Sequence, residues 1–200
     1  NMDVTWLGNN AFQISDDLIN VLINPSKDLI KNISPPENTV VLFTQKEHDE
    51  IGSLTFVDSP GEYEINNVSV SGVANAIEKE EGKSICTCYR IESRTLSIDI
   101  IGTIGSNFDS QALTTLASPH AVVFSPDNSN IDAEILGNTV RSLEPRKILI
   151  SGYDKTKSVP SKSLNEIINV FGLKDYEPKS KSSFTISNLG DVQEIIILEN

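Results

Sequence analysis

The sequence predicts an α+β fold, a four-layer αββα sandwich with two mixed β-sheets face to face and helices outside. Three observations carry this: strand-like segments crowd the first half, helical spacing begins only after residue 107 and alternates with strands, and strands close the chain.

In order, "DVTWLG" (3–8), "AFQISD" (11–16), "LINVLINP" (18–25), "TVVLFT" (39–44), "LTFVD" (54–58), "EYEI" (62–65) and "VSVSGVA" (68–74) are rich in β-branched and aromatic residues. Asn, Asp, Gly and Pro divide them, so they read as an antiparallel meander. "SICTCYRIES" (84–93) and "TLSIDIIG" (95–102) continue it through a tight turn at Ser93–Arg94. Val4 and Trp6 share one face of the first strand, the core face, whereas Glu62 and Glu64 share an outward face with Tyr63 and Ile65 opposite. Beyond residue 107, "FDSQALTTLA" (108–117) and "DAEILGNTVRSL" (132–143) place apolar residues at helical spacing, with an acid near each start to suit the positive helix N-terminus. A third helix spans 161–172, with Ser161 as N-cap and Gly172 as its stop. "HAVVFSP" (120–126) and "KILISG" (147–152) are the strands between helices, and "SSFTISN" (182–188) and "VQEIIILE" (192–199) end the chain.

Two hundred residues without a composition shift read as one domain over 2–200, with Asn1 before Met2 the remnant of a cleaved tag. Apolar residues make up 38% of the chain, enough for a sizeable core. The net charge of −12 argues against nucleic acid or an anionic membrane as partner. No apolar run reaches a membrane span of about 20 residues and no signal segment opens the chain, so a cytoplasmic location is expected. Cys86 and Cys88 fall on one face of a strand and read as core thiols in a reducing compartment.

Chemistry-bearing residues are sparse. The chain has two histidines, His48 and His120; the first stands among Glu47, Asp49 and Glu50, the second at the start of a strand. No nucleophile elbow or cysteine-protease signature accompanies them. "IGTIGSNFD" (101–109) lacks the Gly-Lys-Ser/Thr ending of a phosphate loop and the third glycine of a dinucleotide fingerprint, and its glycines read as turn formers.

The stretches "VTWLGNNAF", "VDSPGEYEINNVSVSGV", "IDIIGTIGS", "NIDAEILGNTVRSLEPRKILISGYD" and "DVQEIIILE" together resemble the metallo-β-lactamase fold. Within it they are similar to the L-ascorbate-6-phosphate-lactonase-like branch, over almost the whole chain. The resemblance implies a cleft at the sheet edges where zinc or manganese activates water, with an open position on the metal. It also implies that this chain lacks the ligands. The His-x-His-x-Asp-His motif falls on "QKEHDE", with Gln45, Glu47 and Glu50 in place of histidines, Asp49 retained, and His48 at a non-ligand position. Other ligand positions fall on Ile77, Thr103 and Tyr153, and two early ones on Asn9 and Asn24.

The expectation is a non-catalytic pseudoenzyme, a binding or interaction module with no cofactor and the zinc site lost. Its old cleft is formed by Asn9, Asn24, Gln45, Glu47, Asp49, Glu50, Ile77, Thr103 and Tyr153. A small polar ligand, cationic or hydroxyl-rich, or a protein partner is expected there, with homo-oligomerisation as a further expectation. The alternative is a divergent hydrolase of lactones, esters or phosphodiesters, with Mg, Mn or Ca held by Glu47, Asp49, Glu50 and Glu78.

Overall fold

The computed structural model describes residues 1–79, 82–129 and 131–200, with the side chains of residues 77–79 and 83 outside that description. β1 (Met2–Trp6), β2 (Phe12–Ser15) and β3 (Asn20–Ile23) are antiparallel neighbours. The turn into β3 is built by Asp16, whose Oδ1 accepts the backbone N–H groups of Leu18 (2.7 Å) and Ile19 (3.0 Å), the local bonding that places Asp in turns.

After β3 the meander stops. Helix α1 (Lys27–Ile33) carries the chain across, so that β4 (Val40–Leu42) lies parallel to β3 and β5 (Thr55–Val57) parallel to β4. This corrects the expected all-antiparallel first half. The helix has seven residues and none of them is buried, so it lacks the apolar stripe by which helices declare themselves. Its capping is nonetheless complete: Ser26 Oγ accepts the Leu29 N–H, and Ser34, at φ 45°, ends it.

β6 (Gly61–Ile65), β7 (Val68–Lys79), β8 (Gly82–Ser93) and β9 (Leu96–Ile101) form an antiparallel ladder. Ser93 pairs with Leu96, so the turn is Arg94–Thr95, one residue later than expected, with Arg94 at φ 54°. Parallel strands follow: β10 (Ala121–Phe124) beside β9 and β11 (Lys147–Asp154) beside β10. Helices α2 (Ser110–Leu116) and α3 (Ala133–Arg141) make the two crossings. β12 (Val159–Pro160) pairs with the end of β11, and α4 (Lys162–Phe171) follows, capped by Ser161 and stopped by Gly172 at φ 64°, as its sequence signals require. β13 (Ser182–Phe184) joins β1, and β14 (Glu194–Glu199) runs parallel to β11.

Among the described residues these strands make a six-stranded sheet, β13-β1-β2-β3-β4-β5, and an eight-stranded sheet running from β12 to β6 with β14 on β11. Between the sheets lies the main core, with Val4, Ile14, Val21 and Leu42 from one sheet facing Val70, Tyr89, Ile98 and Leu149 from the other. Trp6 packs against this core from its margin and donates its indole N–H to the Asn9 carbonyl (2.8 Å). On the outer face of the eight-stranded sheet, α2, α3 and α4 bury Leu116, Leu136, Val140, Leu164 and Ile167 in a second cluster. On the outer face of the six-stranded sheet, α1 lays Ile30 against Leu22, Val41, Phe43 and Ile51. The four-layer αββα order is present, with three α-helices on one side and one on the other among the described residues.

Candidate functional cleft

A cavity of about 400 Å³ opens where β1, β3 and β4 end. Its walls are the loop after β1 around Asn9 and Asn10, the turn from Asn24 into α1, and the segment after β4 that includes Gln45, Glu47 and Asp49. Asn9 and Asn24 adopt left-handed backbone conformations (φ 47° and 48°), which asparagine tolerates better than most residues.

Internal bonds hold these walls. The Asn24 carboxamide spans to Thr44: its Oδ1 accepts the Thr44 backbone N–H (2.9 Å), and its Nδ2 donates to Thr44 Oγ1 (3.0 Å). Asp49 Oδ2 accepts the Lys27 N–H (2.9 Å), so this carboxylate caps the first turn of α1. His48 stacks on Phe43, with ring centroids 3.7 Å apart and planes 2° from parallel. Its Nδ1 donates to the Asp49 carbonyl (2.9 Å), and its Nε2 meets the Asp58 carboxylate (3.0 Å). Each ring nitrogen thus faces an oxygen acceptor, and the Asp58 carboxylate at Nε2 is its side-chain hydrogen-bond partner. That bond is the main cause holding the Asp58 carboxyl below its usual range; the Ser59 hydroxyl, 2.9 Å from Oδ1, adds to it.

Of the residues expected in the cleft, Asn9, Asn24, Gln45, Glu47 and Asp49 line the cavity. Glu50 is exposed outside it, because the next residue, Ile51, is buried in the outer cluster. Thr103 is buried and does not line the cavity. Just before it in the chain, Gly102 packs so closely that a Cβ there would lie 2.8 Å from Thr44 Cβ and collide with Cys86 Sγ. That glycine serves a close approach rather than a turn. Tyr153 follows a register shift in β11 and turns its ring toward Tyr176, with centroids 6.2 Å apart, away from the cavity. Ile77 and Glu78 lie outside the residues whose side chains are described.

Sequence reasoning missed Asn10, Ser26, Asp28 and Asn32, which also line the cavity. The signal was "NPSKD", a capping serine and a first-turn acid after proline, which marks the start of α1.

The remaining reactive groups serve the fold. His120 is half-buried; its Nδ1 accepts the Ser97 N–H (2.9 Å), so the neutral ring carries its proton on Nε2 and ties β10 to β9. Burial, reinforced by Arg146 and Arg90, lowers its pKa. Cys86 and Cys88 are buried and free, and the neighbouring Cys88 together with burial pushes the Cys86 thiol up, away from the reactive thiolate. Among the described residues, no three His, Cys, Asp or Glu side chains are grouped to share a metal ion, and no helix is long and apolar enough to cross a membrane.

The β-lactamase superfamily domain matches residues 3–150. The chain belongs to the β-lactamase superfamily. Its fold is the metallo-β-lactamase fold, as solved relatives in shape show. A Thermotoga maritima protein classed as a Zn-dependent hydrolase of the metallo-β-lactamase superfamily aligns with TM-score 0.72 and 16% identity, over 100% of this chain and 99% of that one. Igni18, a metallo hydrolase from Ignicoccus hospitalis, aligns with TM-score 0.63 and 12% identity, over 92% and 99%. The metallo-β-lactamase fold protein YhfI from Bacillus subtilis aligns with TM-score 0.60 and 9% identity, over 98% and 96%. At such identities the likeness of this superfamily member to them is one of fold. No curated protein sequence matches the chain.

Proposed function

We propose that this β-lactamase superfamily protein is a non-catalytic member that uses the hydrolase cleft to hold a small ligand. Its similarity to the lactonase-like branch rests on "PGEYE" and on the stretch from Ile131 to Ile150. The observation that carries the reading is the bond from the Lys27 N–H to Asp49 Oδ2. Asp49 is the one residue of "QKEHDE" that matches the ligand motif at its own position, and one oxygen of its carboxylate is engaged by α1.

The T. maritima protein and Igni18 are described as metal enzymes, and a metal is what the fold implies. The side chains here do not fit one. Zinc needs ring nitrogens with free lone pairs, and magnesium, manganese or calcium needs converging carboxylates. His48 has both nitrogens bonded to acceptors, and the Asn24 carboxamide is engaged at both ends by Thr44. Gln45 offers only a neutral amide, and Glu50 lies outside the cavity.

The test is an assay of the purified chain on lactone, ester and phosphodiester panels, with zinc, manganese, magnesium or calcium added, alongside melting curves with each ion. Turnover at background and melting temperatures unmoved by the ions support the reading. Metal-dependent turnover that disappears in the double variant Glu47→Gln, Asp49→Ala would overturn it in favour of an oxygen-ligated hydrolase.

A further inference from the structure

We propose that the cleft's ligand is a neutral polyol of about mono- to disaccharide size; this rests on the non-catalytic reading above. The cavity, about 400 Å³, falls within the roughly 300–1,000 Å³ usual for small-molecule sites. What selects the ligand is the set of polar side chains that line it without an internal partner. Those of Asn24, Thr44, His48 and Asp49 are tied into the walls. The carboxamides of Asn9, Asn10, Asn32 and Gln45 and the carboxylates of Asp28 and Glu47 line the cavity with no protein hydrogen bond of their own among the described residues.

Four carboxamides that donate and accept, with two carboxylates that only accept, match hydroxyl groups, which also donate and accept. A carboxamide or carboxylate can take two neighbouring hydroxyls at once. No lysine or arginine side chain lines the cavity, and the chain carries a net charge of −12, so a phosphate or carboxylate ligand meets repulsion without a counter-charge. The start of α1, which would otherwise attract an anion, is already capped by Asp49 and Ser26. A simple amine would draw on Asp28, Glu47 and Asp49; all three are exposed, where an ion pair contributes about 0–1 kcal/mol, and it would leave the four carboxamides unused. Leu7 and Leu29 supply apolar contact for the carbon skeleton.

The test is an NMR titration of the ¹⁵N-labelled full chain with myo-inositol, D-glucose and a disaccharide, with inorganic phosphate and spermidine as comparison probes. The expected result is saturable shifts of the side-chain amides of Asn9, Asn10, Asn32 and Gln45 with at least one polyol and none with phosphate. Asn32→Leu and Gln45→Leu, each with an unchanged melting temperature, should weaken that binding about three- to tenfold apiece, the worth of one hydrogen bond. No saturable shift from any polyol, or stronger binding of spermidine or phosphate, overturns the ligand class and leaves the non-catalytic reading standing. A polyol or disaccharide that binds and is then cleaved overturns the non-catalytic reading and leaves the ligand class intact.

Discussion

The outer faces of the two sheets are held by different physics. The eight-stranded sheet carries α2, α3 and α4, which bury leucine, isoleucine and valine side chains against it. The six-stranded sheet carries α1, which buries no residue fully and is kept in place by Ser26, Asp49 and the Asn24–Thr44 bridge beside it. Burial stabilises through area and forgives small shifts, whereas polar capping is directional and fails when one partner is lost. The cleft lies on the second kind of face, so its walls can change while the core stays as it is.

Substitutions on the two sides should separate these modes. Ile167→Ala, at a position of α4 with no exposed surface, should cost about 2–5 kcal/mol of global stability, read from denaturant unfolding. Asn24→Ala removes both bonds to Thr44 and puts alanine at a left-handed position. It should cost about 1–3 kcal/mol and distort the cleft. A cost for Asn24→Ala equal to or above that of Ile167→Ala would break the contrast.

The helical side has its own polar exception, and pH exposes it. Asp99 and Arg90 are cross-strand partners on β9 and β8, ion-paired and buried beneath the end of α2, where Arg90 also donates to the Ala117 carbonyl (2.8 Å). Burial pushes Asp99 up to about 7, against the pull of Arg90. The unfolded carboxyl titrates near 3.9, so between about pH 4 and 7 the folded chain holds a proton that the unfolded chain releases. Stability from this group is therefore full below about pH 4 and is lost as pH rises toward 7. Wild-type stability minus that of Asp99→Asn should fall across this window by at most about 1.4 kcal/mol per pH unit and level off above it. A difference that is flat or rises with pH would mean that Arg90 keeps Asp99 ionised throughout.

The smallest expected effect belongs to the cap itself. Asp49→Ala should cost about 0.5–1 kcal/mol and speed amide exchange within α1 while leaving α4 unchanged. Equal acceleration in both helices would show that α1 is not held locally.

What could be read from the chain beforehand follows the same division. Apolar periodicity announced α4 from Ser161 to Gly172 and the strands of both sheets except the two-residue β12, because burial repeats along the sequence. It could not announce α1, which buries no residue fully, and the parallel placement of β4 and β5 went unread with it. Within the cleft, Asn9, Asn24, Gln45, Glu47 and Asp49 were legible as positions along the chain. Their partners were not. Asn24 meets Thr44 twenty residues on, and His48 meets Asp58 ten residues on, pairings without any repeat to reveal them. Tyr153 was misplaced because a register shift within a strand leaves no mark on its composition.

The Asp49 carboxylate also sets the terms for anyone who would give this cleft a metal. A zinc ion held by histidines introduced at Gln45 and Glu47 would compete with the Lys27 amide for that carboxylate, so each gain in zinc affinity would loosen the first turn of α1. Metal loading and α1 would be thermodynamic antagonists, and the ion would enter by unwinding the wall that shapes its own site.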